Sequence, residues 1–461
     1  MSVVLSVVSA VFWGLLVLSL LVFVHEGGHY LAARACGVRV TEFFLGLPCP
    51  VKLSHKSGEY GTEIGVTPVL LGGYTRICGM EGEQDELLAP ALACVQRHGR
   101  VEVSALAAEL GCDVDRAYAL VATLTDWAAI RPYYDEARGE RRGQKDWPAA
   151  FETLRRDANL RTEYDRGHDF AGEGVTDYGQ PRAIPGSADR FLQRERSHTY
   201  LGCGFWRRFA MLVAGPMVNI VVALALVMTM LMAVGVTVGT GSNVVGGVTA
   251  GSYAKAAGLE LGDRITKVGD VETPDWQTLS QALDGPLAAG RDFTLTYERD
   301  GRENTVTIDV EDGAQAQYLG IYEETQIMHM GLGQAFLQAL AYARMVGEFA
   351  ARLIMPQHTM EVLNTSSSIV GISVMASEAA STGAADLLAV VAAISMSLGF
   401  MNLLPIPPLD GGKVLIEVVQ VVIRRQLSMK AQAAVSYVGL AFFMFVFVVV
   451  LRNDIMRFVI G

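Results

Sequence analysis

The chain has 461 residues, 51% of them hydrophobic and 18% charged, with a mean hydropathy of +0.31. The apolar residues are gathered in a few long uncharged runs, which excludes collagen-like, disordered and coiled-coil chains and points to a membrane protein with the lipid bilayer as partner. A net charge of −11 argues against nucleic acid as a partner, because phosphate binding needs a basic surface.

The first expected element, residues 1–38, is a membrane helix. Val3 to Val24 is uncharged and long enough to cross a hydrocarbon core of about 30 Å. A cleaved signal peptide would want Lys or Arg ahead of a shorter apolar core. At the inner end stands His25-Glu26-Gly27-Gly28-His29. Helical residues four apart share a face, so both imidazoles can reach one metal ion, and Glu26 beside them can take a proton from a water held there. The bland alternative is a pair of histidines capping the span, yet such groups at the edge of an apolar run are costly unless paired or metal-bound.

Residues 39–82 alternate polar and apolar positions, punctuated by Gly58, Gly61, Gly65 and Gly72-Gly73, which predicts a membrane-associated β-hairpin region. Residues 83–200 turn charged and read as a cytoplasmic insertion. Its part 85–131 has helical spacing with a turn at Gly111 and resembles a winged helix-turn-helix unit, for which acidic surroundings favour a protein-contact role over DNA binding. Glu136 to Ser197, dense in charge, is expected to be a partly flexible linker.

The second span, 205–240, follows Arg207-Arg208. Residues 243–322 contain Gly251-Ser252, Ala257-Gly258-Leu259, Gly262-Asp263, Ile265 and Val268-Gly269 in that order, a set that looks like a PDZ domain. Such a domain implies a bound peptide strand. In 323–385, Leu332 to Met355 is apolar at helical spacing but broken by Arg344, Glu348 and Arg352, which suits a helix lying on the membrane surface followed by a linker. The third span, 386–428, contains Asn402-Leu-Leu-Pro-Ile-Pro-Pro-Leu-Asp410-Gly-Gly. Its prolines should unwind the helix around Asp410, the best candidate for a third metal ligand, since catalytic zinc usually has three protein ligands and keeps a fourth position for water. Taken alone, Asp410 could also be a turn residue beside the glycines. The fourth span is 430–452.

Basic residues near span ends prefer the cytoplasm. Arg34, Arg39, Arg207 and Arg208 flank the first loop, and Lys413, Arg424, Arg425 and Lys430 the last. Both loops are therefore expected inside, with the termini and the PDZ-like segment outside a bacterial inner membrane. Six cysteines, Cys36, Cys49, Cys78, Cys94, Cys112 and Cys203, form no CxxC pair and read as reduced thiols. The expected fold is a polytopic α-helical membrane protein of four spans with a β-hairpin region, a PDZ-like domain and a winged-helix-like insertion.

These motifs together resemble the site-two family of intramembrane zinc metalloproteases, most closely its bacterial sigma-factor-regulating branch with a PDZ domain. The resemblance rests on residues 25–29, Thr41 to Gly46, Leu71 to Arg76, Phe209 to Asn219, the PDZ-like segment and Asn402 to Gly412. It implies that Zn2+ is held by His25, His29 and Asp410, that Glu26 is the general base, and that Asn219 and Asn402 lie near the scissile peptide. It implies substrates that are single-pass membrane proteins, often anti-sigma factors. A helical substrate must be unwound before attack, and the strands around Gly61 and Gly65 could pair with it. The long 83–200 insertion departs from the family pattern. A zinc protease with a soluble catalytic domain would put a glutamate ligand on a helix soon after His29, but Glu42 comes first and in a strand-like context. A non-catalytic membrane scaffold is the remaining alternative.

Overall fold

In lipid only a helix or a closed barrel satisfies every backbone polar group internally, so long uncharged runs become helices. Among the described residues, four helices are long and apolar enough to cross a membrane: Val4–Ala35, Phe205–Val234, Ala384–Asn402 and Ala431–Ile455. Within their most apolar windows, 22% of residues in three of them and 11% in the last are buried by protein, which leaves most of each helix for lipid to cover. This computed structural model describes residues 2–80, 85–310, 318–425, 427 and 429–457. Residues 83 and 84 of the insertion, 311–317 of the PDZ-like segment and 426 and 428 at the end of the third expected span lie outside the described residues. The chain divides into two units, residues 1–227 with 338–461, and residues 228–337.

In the first unit, α1 (Ser2–Ala35) runs on past Val24, so His25 and His29 stand on one unbroken helix. Four strands follow, β1 (Val40–Leu45), β2 (Leu53–Lys56), β3 (Glu63–Val66) and β4 (Gly73–Ile77), in the order β2-β3-β1-β4. β1 and β3 are parallel and the other pairs antiparallel. Phe43 of β1 stacks on Phe23 and Tyr30, with ring centroids 4.9 and 5.1 Å away, which seats the sheet on α1, and among the described residues β4 is an edge strand.

The insertion comprises α2 (Leu88–His98), β5 (Arg100–Glu102), α3 (Val103–Leu110), α4 (Val114–Asp126), β6 (Ile130–Tyr133), β7 (Ala150–Thr153) and α5 (Ala188–Ser197). β7 pairs with both β5 and β6, and the helices close over Leu92, Leu106, Leu120, Leu124 and Phe151. The segment expected as a flexible linker is therefore folded: it supplies the central strand, a capped helix and a buried ionic cluster. Arg39, at the foot of α1, binds both oxygens of Asp165 at 2.7 Å and Glu195 at 2.7 Å, and Glu195 also accepts from Arg156 at 2.8 Å. These residues read as solvated charge in sequence, but they are buried and paired, which is the condition under which charge enters a core. Burial alone would raise both carboxyls, but the charge of Arg39 on Asp165, and of Arg156 and Arg39 on Glu195, outweighs it and holds them below the ordinary carboxylate range, while their negative charge raises Arg39 against its own burial.

The remaining helices are α6 (Phe205–Thr229), α9 (Leu332–Arg352), α10 (Thr359–Thr365), α11 (Ile369–Thr382), α12 (Ala384–Asn402), α13 (Asp410–Ile423) and α14 (Met429–Ile455). α11, not foreseen, lies along α1: a Cβ on Gly14 would meet Ser373 Oγ at 2.0 Å, and Ser9 and Ser377 share a 2.7 Å hydrogen bond. α9 buries Ala339, Ala343 and Ala350 while Leu337, Leu340, Met345 and Phe349 stay exposed, the reverse of a soluble amphipathic helix. The run expected as one third span is two helices, because Pro405, Pro407 and Pro408 cannot continue α12.

In the second unit, β8 (Val236–Gly239) pairs with β15 (Thr325–Met328), and β9 (Val245–Val248) with β14 (Ile321–Glu323). β10 (Arg264–Val268), β11 (Val271–Glu272), β12 (Phe293–Arg299) and β13 (Arg302–Ile308) form a sheet of order β11-β10-β12-β13. With α7 (Tyr253–Ala256) and α8 (Trp276–Ala289) they enclose Leu259, Ile265, Leu279 and Leu295. The six cysteines are free.

Candidate metal centre

His25 and His29 on α1 meet Asp410, the first residue of α13. Asp410 Oδ2 lies 3.1 Å from His25 Nε2 and 3.2 Å from His29 Nε2, and the two Nε2 atoms are 3.2 Å apart. Both imidazoles are buried. Glu26 and Asp410 face a cavity of about 230 Å³ whose wall also includes Tyr74, Thr75, Met80, Tyr200 and Lys413.

The protons in this cluster decide what it can hold. His29 Nδ1 faces the Met211 carbonyl at 2.8 Å, so Nδ1 carries the hydrogen and Nε2 of the neutral ring presents a lone pair. In that form the lone pair points at the Asp410 carboxylate and at His25, a repulsion that a proton on Nε2 or a metal ion among the three relieves. His25 Nδ1 lies 3.5 Å from Asn219 Nδ2, while the buried Asn219 Oδ1 has no partner among the described residues. Turning that amide over gives Oδ1 the His25 Nδ1 hydrogen and frees His25 Nε2 as a second lone pair. Edges of 3.1, 3.2 and 3.2 Å compare with about 3.3 Å between nitrogen or oxygen donors around tetrahedral zinc. The residues present fit a zinc ion.

Small residues bring the helices together. A Cβ on Gly28 would meet the Ala214 carbonyl oxygen at 2.6 Å, and one on Gly215 would meet His29 Nε2 at 2.4 Å, so α1 and α6 approach only where both lack side chains. Gly411 is likewise pressed on the Leu403 carbonyl oxygen, 2.2 Å from a hypothetical Cβ, which sets Asp410 back against α12. Further along α13, Glu417 accepts from Tyr200 and from Arg208, both at 3.1 Å. Burial and the Glu417 charge push the Tyr200 phenol above its usual range. Tyr200 thus links the end of the insertion to the helix that carries Asp410.

The other sequence candidates fall at different distances. Asn219 is fully buried beside His25, its carbonyl held by Ser395 Oγ at 2.9 Å. Asn402 is the last residue of α12, and among the described residues no hydrogen bond joins it to the cluster. Gly61 sits in the β2–β3 turn at φ +62°, against Glu163 of the insertion. Gly65 is on β3, whose two sides are taken by β1 and β2, so its peptide groups have no edge to offer. The strand that borders the cavity is β4: Thr75 Oγ1 donates to the Glu26 carbonyl at 3.1 Å. Its part in the site was carried only by the Leu71 to Arg76 motif. Met211 acts through its carbonyl and leaves no side-chain signal.

Membrane-length helices around a buried His-His-Asp donor set, with a carboxylate beside it, define a membrane protein with a hydrolytic metal centre. Comparison with known families is specific: residues 13–446 match Peptidase family M50, and the chain belongs to that family. It is similar to the zinc metalloprotease RasP of Geobacillus kaustophilus, at 26% identity over 452 residues covering 96% of this chain and 97% of the relative. A putative zinc metalloprotease of Lactococcus lactis subsp. lactis is 24% identical over 457 residues, with 96% and 97% covered. The protein is a membrane zinc metalloprotease.

Proposed function

We propose that the enzyme hydrolyses a peptide bond within or near the membrane segment of single-pass proteins, anti-sigma factors among them. The observation that carries this is the convergence of His25, His29 and Asp410 on a cavity lined by Glu26, with both histidines on a helix of membrane-spanning length. When bound, zinc would polarise the scissile carbonyl and acidify a water. Glu26 then serves as the base that takes the water proton and returns it to the departing amine. Asn219 and Asn402 are proposed as amide donors to the developing oxyanion, and a low-dielectric site makes such a donor worth about 3–4 kcal/mol.

A substrate helix offers no free carbonyl until it unwinds. The free edge of β4 supports strand addition there, with backbone bonds replacing those lost from the substrate helix. This moves the expected pairing from Gly61 and Gly65, whose neighbourhoods are already filled, to Gly73–Ile77. The basic loop ends support an insertion on the cytoplasmic side of an inner membrane and a PDZ-like second unit outside, taking a peptide strand. The acidic insertion suits protein contact. The test is Glu26→Gln assayed on a tethered single-pass model substrate: cleavage falls by about 10²–10⁴-fold with zinc retained. Undiminished cleavage would overturn the role of Glu26 as the base, and a wild-type chain that leaves the membrane segment uncut would overturn the proposal.

A further inference from the structure

The insertion holds a second convergence of donors that peptide hydrolysis does not use. Cys94 and His98 stand four apart on one face of α2, and Glu109 reaches them from α3. Cys94 Sγ is 3.6 Å from His98 Nδ1, and that nitrogen is 3.9 Å from Glu109 Oε2. The three donor atoms all lie within 4.8 Å of one another. Cys94 is fully buried, whereas the His98 and Glu109 side chains are 47% and 37% exposed, so the cluster is anchored on one side and open to solvent on the other.

The distances have a physical reading. A tetrahedral zinc with sulfur at about 2.3 Å and nitrogen at about 2.0–2.1 Å holds those two donors about 3.6 Å apart, the separation already present between Cys94 and His98. The carboxylate stands slightly wide, and Glu109, on the open side, can close that gap by rotation. Its other oxygen, Oε1, is 3.1 Å from the Arg97 guanidinium, an outer partner of the kind that orients a ligating carboxylate. His98 Nδ1 also lies 3.1 Å from the Cys94 carbonyl oxygen. That bond would be exchanged for the metal, with the ring proton on the solvent side at Nε2.

We propose that Cys94, His98 and Glu109 form a second site, for Zn2+ or a similar borderline-soft divalent cation, separate from the catalytic centre. Thiolate and imidazole ligands select such ions over Ca2+ and Mg2+. Binding releases the thiol proton to solvent, and the two anionic ligands then neutralise the cation. A fourth position stays open to water. The site ties α2 to α3, the helices that build the insertion core with α4, so occupancy stiffens this module.

Cobalt separates this site from the catalytic one, because only a thiolate ligand gives a near-ultraviolet sulfur-to-cobalt charge-transfer band. The full chain, purified in detergent and stripped of metal, is titrated with Co2+. The expected result is that band, present in wild type and in His25→Ala and absent in Cys94→Ser, and two zinc ions per wild-type chain against one in Cys94→Ser. His98→Ala, altering an exposed side chain, weakens cobalt binding in the folded chain and carries the test should the buried substitution unfold it. No band in wild type, a band that survives Cys94→Ser, or one zinc ion per wild-type chain would each overturn the proposal. Because none of these readouts requires proteolysis, failure here is distinct from failure of the proposed function.

Discussion

At the foot of the cavity, His25, His29 and Asp410 bring three donor atoms within 3.2 Å of one another, with lone pairs facing a carboxylate. At the foot of the insertion, Arg39 meets Asp165 and Glu195 at 2.7 Å, and Arg156 completes Glu195 at 2.8 Å. Both clusters are ionisable and largely buried, and both join residues far apart in sequence. The first is short of positive charge and borders a cavity. The second pairs each carboxylate with a guanidinium and is enclosed. An unbalanced donor set adjoining space is built to receive something, whereas a balanced one holds elements together.

The contrast can be broken from either side. The largest effect is expected from Asp410→Asn, which removes a charged ligand: cleavage drops to background and metal analysis finds the catalytic zinc gone. Arg39→Met leaves the buried Asp165 without its guanidinium and Glu195 with Arg156 alone, and a loss of about 3–5 kcal/mol should appear as a lower urea midpoint and early proteolysis of the insertion. Gly215→Ala pushes a methyl against His29 and should weaken zinc retention about 10–100-fold, as disturbing ligand orientation does elsewhere, read by chelator competition. Tyr200→Phe deletes one of two partners of Glu417 and should cost about 1 kcal/mol of stability, with cleavage reduced only modestly.

The mildest perturbation is pH. Asp165 and Glu195 titrate below their ordinary range when folded, so the unfolded chain takes up protons first as pH falls. Their contribution is complete above the ordinary carboxylate range near about 4 and is lost as pH drops through and below it. Protection of the insertion against hydrogen exchange, relative to the unfolded-chain rate at each pH, should fall with acidification in wild type and depend on pH less in Arg39→Met.

How much of this was legible in the sequence differs between the two clusters. His25 and His29 share a helix face by spacing, and Asp410 stands out at the end of a long uncharged run, so chemistry in the wrong solvent betrayed the site. Arg39, Asp165 and Glu195 gave no such sign, because charges within a charged segment look solvated until folding buries them. Four long apolar helices are legible in both sequence and structure, and the run 386–428 breaks at its prolines into α12 and α13. The helix Ile369–Thr382 was missed because it is too short to cross a bilayer. The edge status of β4 depends on a strand order that local pattern does not carry.

The chain leaves the hairpin region at Cys78-Gly79 and returns at Tyr200-Leu201, where Tyr200 N donates to the Cys78 carbonyl at 2.8 Å and Leu201 N to the Gly79 carbonyl at 3.1 Å. Junctions lying side by side are where whole modules are gained or exchanged without rerouting the host. A short turn bridging Gly79 to Leu201 would therefore excise the module and close the wall again, provided Arg39 is made neutral in the same step. The insertion is in this sense a graft, and Arg39 is where the host is rooted in it.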